Sequence, residues 1–398
     1  MTNSQSHNQR VILAIIVLAQ FACTSLWFAG NAILPELQTE FHLTTRSLGD
    51  LTSTVQFGFI TGTLVFAMLT ISDRYSPSKV FFVCAIAGAA ANFLIVSVSQ
   101  TWALFLLRGL VGFFLAGIYP VGMKISADYY EKGLGNALGY LVGALVVGTA
   151  FPHLIRLFNE SLDWRFVIHA TSILAVFGGS LIYFLVPDGP FRKQSSRFDL
   201  KLCITVFKKK EFRAAAFGYF GHMWELYTLW AFIPFILFQY NEVHKSQIDI
   251  SLWSFITIAI GGIACVIGGF ISKKSGSANT AKGALLISGL CCVASIVVFQ
   301  LPVYFFLAFL IVWGASVVAD SPQFSTLVAQ HAPAEARGTA LTIVNSIGFA
   351  ITILSLQVMN LFVDQFNSTA VFATLAIGPF FGLLALRRNK LSDTNPTL

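Results

Sequence analysis

Long apolar runs alternate along this chain with short polar connections, and Lys and Arg crowd into every second connection. No single motif constrains the fold as strongly. A soluble domain has no reason to segregate its cations in this way, whereas a chain threaded repeatedly through a bilayer keeps its basic loops on the cytoplasmic side. Of the 25 basic residues, twenty fall in one alternating set of loops and tails. They are Arg10, Arg74, Lys79, Lys124 and Lys132; Arg192, Lys193, Arg197, Lys201, Lys208, Lys209 and Lys210 in the longest connector, with Arg213 at its exit; then Lys273, Lys274, Lys282, Arg337, Arg387, Arg388 and Lys390. The five others are Arg46, Arg156, Arg165 and Lys245 in the opposite connections and Arg108 inside an apolar run.

With 56% hydrophobic and only 11% charged residues, the chain falls far below the roughly one-quarter charged content of soluble domains. A helix needs about 20 apolar residues per crossing. A transmembrane barrel would show short alternating segments instead, and the runs here are apolar on consecutive residues. The expectation is an all-α membrane protein with spans near 11–34, 47–70, 79–98, 101–122, 134–157 and 164–186, then 212–238, 250–272, 280–299, 303–328, 336–361 and 368–387. That makes twelve transmembrane helices with both termini cytoplasmic. Gly139, Gly143 and Gly148 are expected to let the fifth span approach its neighbours closely.

The net charge of +7 does not point to nucleic acid, because the cations lie beside membrane spans and no aromatic-interleaved basic domain exists. The run Lys208–Lys210 reads as an anionic-lipid contact and topology signal. Six cysteines form no CxxC pair or His-Cys cluster, so neither metal nor disulfide is implied. The first apolar run lacks a small-residue cleavage site before a soluble domain and reads as a retained helix. No Walker sequence, dinucleotide-binding glycine motif or Ser/His/Asp arrangement occurs in a suitable context. An ATP-driven pump within this chain and a membrane enzyme are therefore disfavoured, and no cofactor is expected.

The connector 187–211 divides the chain into an N-terminal six-helix bundle (1–186) and a C-terminal bundle with its tail (212–398). Internal symmetry supports the division. Leu26-Trp27 matches Leu229-Trp230; Ile71-Ser72-Asp73-Arg74 matches Ile271-Ser272-Lys273-Lys274; Leu134 to Leu138 matches Arg337 to Leu341. The offsets are 203, 200 and 203 residues. Repeated halves that rock against each other are a hallmark of secondary transporters.

Ionisable groups within lipid spans are costly and are functional candidates by default. Four stand out: Arg108, His222, Glu225 and Asp320. His222 and Glu225, three residues apart, share a helix face, and Tyr219 lies on roughly that face. Trp224, Tyr227 and Trp230 add aromatic surface. A carboxylate whose surroundings alternate between two states can exchange a proton, and imidazole titrates near neutrality unperturbed. An interhelical hydrogen-bond lock is the alternative for the pair. Arg108 must find a carboxylate, carbonyls or an anionic ligand; Asp320 is its potential partner or a proton site. Pro120 and Pro322, at comparable positions of the two halves, mark breaks or kinks. Asp73, with Arg74, occupies a tight turn where it could cap a helix terminus or pair with Lys132, as a gate.

Together these residues resemble the Major Facilitator Superfamily over nearly the full length. Asp73-Arg74 stands in the family's signature after the second span, with Leu69 in place of its glycine and the downstream basic residues reduced to Lys79. Gly269 and Lys273 form a weaker second copy. Arg108-x-x-x-Gly112 with Pro120 resembles the fourth-helix motif, whose arginine is linked in many members to transport or proton coupling. Asp163-Trp164-Arg165 also fits. Gly148 with Pro152-His153, and Gly221 to Tyr227, resemble a bacterial subgroup labelled nitrate/nitrite transporters. The glycine- and asparagine-rich signatures of true nitrate carriers are absent, Asn345-Ser346 being a fragment, so nitrate is not implied. The drug-antiporter Gly-Pro pair of the fifth helix is also missing.

The resemblance implies two six-helix bundles, a cavity near the bilayer midplane, alternating access and a monomer in a bacterial inner membrane. The expected function is proton-coupled transport of a small polar or anionic organic solute. In this reading Glu225 with His222 or Asp320 carries the proton, Arg108 balances charge or meets a substrate carboxylate, and Trp27, Tyr227 and Trp230 line the cavity. Efflux of an amphipathic compound or siderophore is the nearest alternative, and a non-transporting receptor or scaffold is a different class.

Overall fold

The computed structural model describes residues 3–44, 47–130, 134–158, 163–192, 205–333, 337–366 and 369–388, and every regular element among them is helical. The first half holds α1 (Asn3–Thr24), α2 (Leu34–Glu40), α3 (Ser47–Met68), the single turn α4 (Ile71–Arg74), α5 (Pro77–Leu94), α6 (Thr101–Leu115), α7 (Tyr119–Tyr129), α8 (Leu134–Leu157) and α9 (Arg165–Leu185). The second holds α10 (Lys210–His244), α11 (Ile250–Ser275), α12 (Ser277–Val298), α13 (Val303–Ala319), α14 (Ser321–His331) and α15 (Arg337–Phe366). A 3-10 segment (Thr369–Ala376) then leads into α16 (Ile377–Arg388).

Ten helical stretches are long and apolar enough to cross a membrane. The first and seventh expected spans are also helical but fall outside that group. In α10 the cause is its aromatic residues together with His222 and Glu225, which dilute the apolar run over a helix of 35 residues. The first span departs from expectation more sharply. Rather than running to residue 34, the helix ends at Thr24, and 25–33 continue as successive turns before α2. Leu26 N–H reaches back to the Cys23 carbonyl and Trp27 N–H to that of Thr24, tightening the chain from the α-helical ladder. Pro35 then begins α2 without needing a backbone donor.

Two more spans break where proline was noted. Pro120 sits in the first turn of α7 after the break at 116–118, and Pro322 sits in the first turn of α14 after Asp320. Each ring removes a ladder donor and blocks continuation from the preceding turn. Pro152 and Pro234, by contrast, lie inside continuous helices.

Within the first half α3 packs on α6, α5 on α9, and α1 on both α8 and α9; within the second, α10 packs on α15 and α16 and α11 on α13. The halves meet through two seams, α8 with α11 and α3 with α15. The internal repeat of about 200 residues carries α3 onto α11 and α8 onto α15, so it exchanges the two seams.

Small residues set the distances. A Cβ added at Gly112 would lie 2.0 Å from the Val55 carbonyl oxygen, and one at Gly58 2.0 Å from that of Gly109, so α3 and α6 touch backbone to backbone. Of the three glycines singled out in the fifth span, a Cβ added at Gly148 would lie 2.4 Å from the Phe21 carbonyl oxygen and one at Gly143 3.0 Å from that of Gly262. A Cβ at Gly139 would meet nothing within 4 Å. We therefore expect Gly112→Ala to lower stability by roughly 1–3 kcal/mol, as overpacking does, and Gly139→Ala to leave the unfolding midpoint in detergent near that of the parent. Equal midpoints for the two variants would refute this packing.

Candidate functional site

The broken first span is held by Arg108. This side chain from α6 is 1% exposed. Its guanidinium donates from Nη2 to the Trp27 carbonyl at 2.6 Å and from Nη1 to the Leu26 carbonyl at 3.1 Å and Asn92 Oδ1 at 3.3 Å. Unwinding after Thr24 frees these carbonyls, and a planar fork matches two diverging acceptors. Asn92 is itself oriented by donating to Thr171 Oγ1, Ser172 Oγ and the Ile168 carbonyl at 3.0–3.2 Å. Of the partners open to Arg108 in sequence, carbonyls are the ones engaged. Asp320 is not its partner.

Asp320 instead meets His222. Nδ1 of His222 lies 2.8 Å from Asp320 Oδ1, with both side chains almost fully buried. The contact joins α10 to the junction of α13 and α14, which Asp320 occupies as the last residue before Pro322's helix. Glu225, one turn along α10, points elsewhere. Its carboxylate accepts from Trp313 Nε1 at 2.7 Å, Ser288 Oγ at 2.9 Å and Cys292 Sγ at 3.2 Å. His222 and Glu225 share a face but face different helices.

Trp27 and Trp230, equivalent in the internal repeat, converge from the two halves on Tyr227. Trp27 stacks on Tyr227 with centroids 5.6 Å apart, and Trp230 meets Tyr227 edge-on at 5.3 Å. Phe349 of α15 stacks on Trp27 at 5.9 Å and lies 4.6 Å from Phe59 of α3. These rings form a plug between the halves.

Beside the plug lies a cavity lined by Tyr119, Val142, Leu145, Tyr219, Met223, Leu226, Tyr227, Trp230, Val318, Ser321, Ser325, Asn345 and Phe349. Tyr219, Met223, Leu226, Tyr227 and Trp230 recur at helical spacing and form one stripe of α10. Trp224, expected at the cavity, is about 140° around the helix from Tyr219 and packs instead against Gly378 of α16. His222 lies behind Tyr219, their ring centroids 5.8 Å apart, and Asp320 is flanked in sequence by Val318 and Ser321 of the wall.

The two ends of the bundle differ. At the end where α3 begins, the halves are bolted together. Gln357 Nε2 donates to Asp50 Oδ1 and Ser53 Oγ, both at 3.0 Å, and Gly49 N–H donates to Asn360 Oδ1 at 3.2 Å. Asn345 is twelve residues from Gln357 along α15, about 18 Å, so the cavity lies beyond the plug, toward the opposite end. There Asp73 pairs with Lys124 of its own half. Arg192 spans Asp188 Oδ2 at 2.8 Å and the carbonyls of Tyr75 and Asp73 at 2.7 and 3.1 Å. Arg74 is exposed at the end of α4. Lys132, proposed from sequence as Asp73's partner, lies outside the described residues, as does the connector from 193 to 204.

Sequence reasoning missed Asn92, Trp313, Ser288 and Cys292 as partners of the buried charges, and missed Tyr119, Ser321, Ser325 and Asn345 in the cavity wall. It also missed the Asp50–Gln357 and Gly49–Asn360 contacts. Among them the amides Asn92, Asn345, Gln357 and Asn360 and the carboxylate Asp50 carried a local signal, as hydrogen-bonding groups in otherwise apolar runs.

Comparison with known proteins gives a consistent answer. A protein of Haemophilus influenzae described as a metabolite transport protein is 24% identical over 387 residues, covering 89% of each chain. The human organic anion transporter MFSD10 superposes with a TM-score of 0.74 at 13% identity, over 95% of this chain and 99% of that one. The nucleoside transporter NupG superposes with a TM-score of 0.70 at 15% identity, over 95% and 98%. The family model of the Major Facilitator Superfamily matches residues 16–356. With a match of that extent, and with the fold just described, the chain belongs to the Major Facilitator Superfamily and is a multi-pass membrane transporter, not an enzyme.

Proposed function

We propose that the protein is a proton-coupled secondary transporter that moves a small polar organic solute by alternating access. The observation that carries this reading is the position of the buried ionisable groups. His222 and Asp320 join α10 to the break between α13 and α14, directly behind two parts of the cavity wall. Glu225, on the same helix, has three neutral donors around it. A carboxylate that gains a proton turns from pure acceptor to part donor, and its new O–H needs an acceptor in a setting where the three described side-chain partners are donors. Protonation is thereby linked to the seating of α10, whose other stripe is the cavity wall and half of the aromatic plug. Sealed and open states of the pathway would favour different protonation states, and the proton gradient would set the direction of cycling.

The setting that goes with this reading is a bacterial inner membrane with both termini cytoplasmic, a monomeric carrier, and Lys208–Lys210 against anionic lipid. The names of the similar proteins include nucleoside and organic anion carriers, which supports small organic solutes as a broad class. The aromatic wall also suits export of an amphipathic compound. Reconstitution into liposomes with an imposed pH gradient tests the reading. Solute accumulation is expected to collapse when a protonophore is added, and accumulation that survives the protonophore sinks the proton-coupling proposal.

In the alternating cycle the Asp50–Gln357 and Gly49–Asn360 contacts act as a latch that must open. Gln357→Ala with Asn360→Ala removes all three described bonds at that latch. Spin labels at Thr39 and Val243, both exposed at the latched end, are expected to report a larger population at long distance in the double variant. An unchanged distance distribution would show that the latch does not hold this end shut.

A further inference from the structure

The wall of the cavity carries an unusual restriction. None of its thirteen described residues is Asp, Glu, Lys, Arg or His. Five are aromatic (Tyr119, Tyr219, Tyr227, Trp230 and Phe349) and the polar atoms are hydroxyls, an amide and an indole N–H. The nearest ionisable pair, His222 and Asp320, meets at 2.8 Å and contributes no atom to the cavity wall, although His222 Nε2 and Asp320 Oδ2 have no hydrogen-bond partner of their own among the described residues. Arg108, the buried cation of the first half, is committed to Leu26, Trp27 and Asn92.

Building on the transport reading above, we propose that the solute is an uncharged molecule of one or two rings bearing amide-like hydrogen-bonding edges, gripped between aromatic side chains and Asn345. Three observations converge on this class. An ion entering this cavity would leave water without meeting a counter-charge, and burying an unpaired charge is strongly unfavourable. Rings are favoured because aromatic faces bind rings by offset or edge-on stacking, and Tyr227 and Trp230 meet at one end of the cavity with Phe349 beside them. Polar edges are required because the phenol hydroxyls of Tyr119, Tyr219 and Tyr227 and the Asn345 amide line the cavity with no protein hydrogen-bond partner among the described residues. An amide offers both a donor pair and an acceptor, which complements the C=O and N–H of a carboxamide or lactam.

The strongest rival is an organic cation held over the faces of Trp230 and Tyr227. That mode would need no formal anion in the wall, so the test sets it directly against the neutral class. Two triads share a ring system and approximate size while spanning the three charge states: nicotinamide, nicotinate and the 1-methylnicotinamide cation; and indoleacetamide, indoleacetate and tryptamine. Binding to the purified full-length protein is measured as ligand-induced thermal stabilisation, without any pH gradient. The expected result is that at least one amide binds, and binds about tenfold or more tightly than its own carboxylate and cation, about 1.4 kcal/mol. Asn345→Ala is expected to weaken that amide about tenfold, and Tyr219→Phe to weaken it in the same direction. A carboxylate or cation binding as tightly as its amide overturns the proposal. So does failure of both amides to bind up to their solubility limits, or an amide affinity that is indifferent to Asn345→Ala. The outcome separates from proton coupling. A protein that binds amides but does not accumulate them under a pH gradient refutes coupling alone, whereas gradient-driven accumulation of a carboxylate refutes the neutral class alone.

Discussion

Glu225→Gln is expected to abolish solute accumulation driven by a pH gradient while exchange of solute across the membrane continues. Glutamine keeps the size of the side chain and one carbonyl acceptor for the Trp313 indole N–H, now 2.7 Å from the carboxylate. It cannot take up or release a proton. If protonation of Glu225 is the event that lets α10 move while the carrier is empty, the variant is confined to steps that occur with solute bound. The expected signature is therefore a split: accumulation reduced by about tenfold or more, the scale of a 1.4 kcal/mol change in a single step, with counterflow retained at a measurable fraction of the parent rate. Uptake and counterflow are measured on the same liposomes, so loss of folded carrier would lower both together. Normal accumulation by Glu225→Gln would remove Glu225 from the coupling mechanism. Asp320→Asn provides the second arm, because it removes the carboxylate that His222 meets without touching the donors around Glu225.

Arg108→Lys is expected to be nearly as damaging to transport, for a different reason. Lysine keeps the charge but loses the planar fork that serves the Leu26 and Trp27 carbonyls at once. At least one of these buried acceptors would lose its partner. An unmade buried hydrogen bond costs about 1–3 kcal/mol, toward the low end within a bilayer, where measured interhelical bonds average less. We expect a loss of stability of about 1–2 kcal/mol, read from unfolding in detergent. Transport should fall more than stability does, because Trp27 would leave its stack on Tyr227 and the plug would lose its seat. This makes Arg108 a positioning residue that acts through Trp27. The discriminating measurement is the ratio of exchange to gradient-driven uptake: Arg108→Lys should depress both in parallel, unlike Glu225→Gln. A variant with parental stability and parental exchange would show that the fork is not what holds the broken span.

The fold and the candidate site were legible in the chain to different degrees. Span positions follow from the requirement for a long uninterrupted apolar run, which is a local property. Arg108, His222, Glu225 and Asp320 stood out because charge is rare there. Pro120 and Pro322 marked real breaks, but Pro152 and Pro234 lie inside continuous helices, so a missing N–H alone does not decide where a span breaks. The break at 25–33 had no such mark inside it. It depends on Arg108, 81 residues away from Trp27, and no local rule connects the two. Likewise, nothing distinguished Trp313 or Cys292 from other apolar residues until the fold placed them against Glu225.

The sequence alone determined that this chain is a helical membrane protein with a nearly chargeless interior. Those conclusions rest on transfer free energies and periodicity, which each segment carries with it, whereas the transporter reading came from the family its motifs resemble. Only the tertiary structure decided which charge meets which partner: His222 with Asp320, Arg108 with freed carbonyls, Glu225 with three neutral donors. It also left the cavity wall uncharged. Pairings of this kind are set by helix rotation and by the close approach that residues such as Gly112 permit, so they are properties of the packed bundle and of no segment within it.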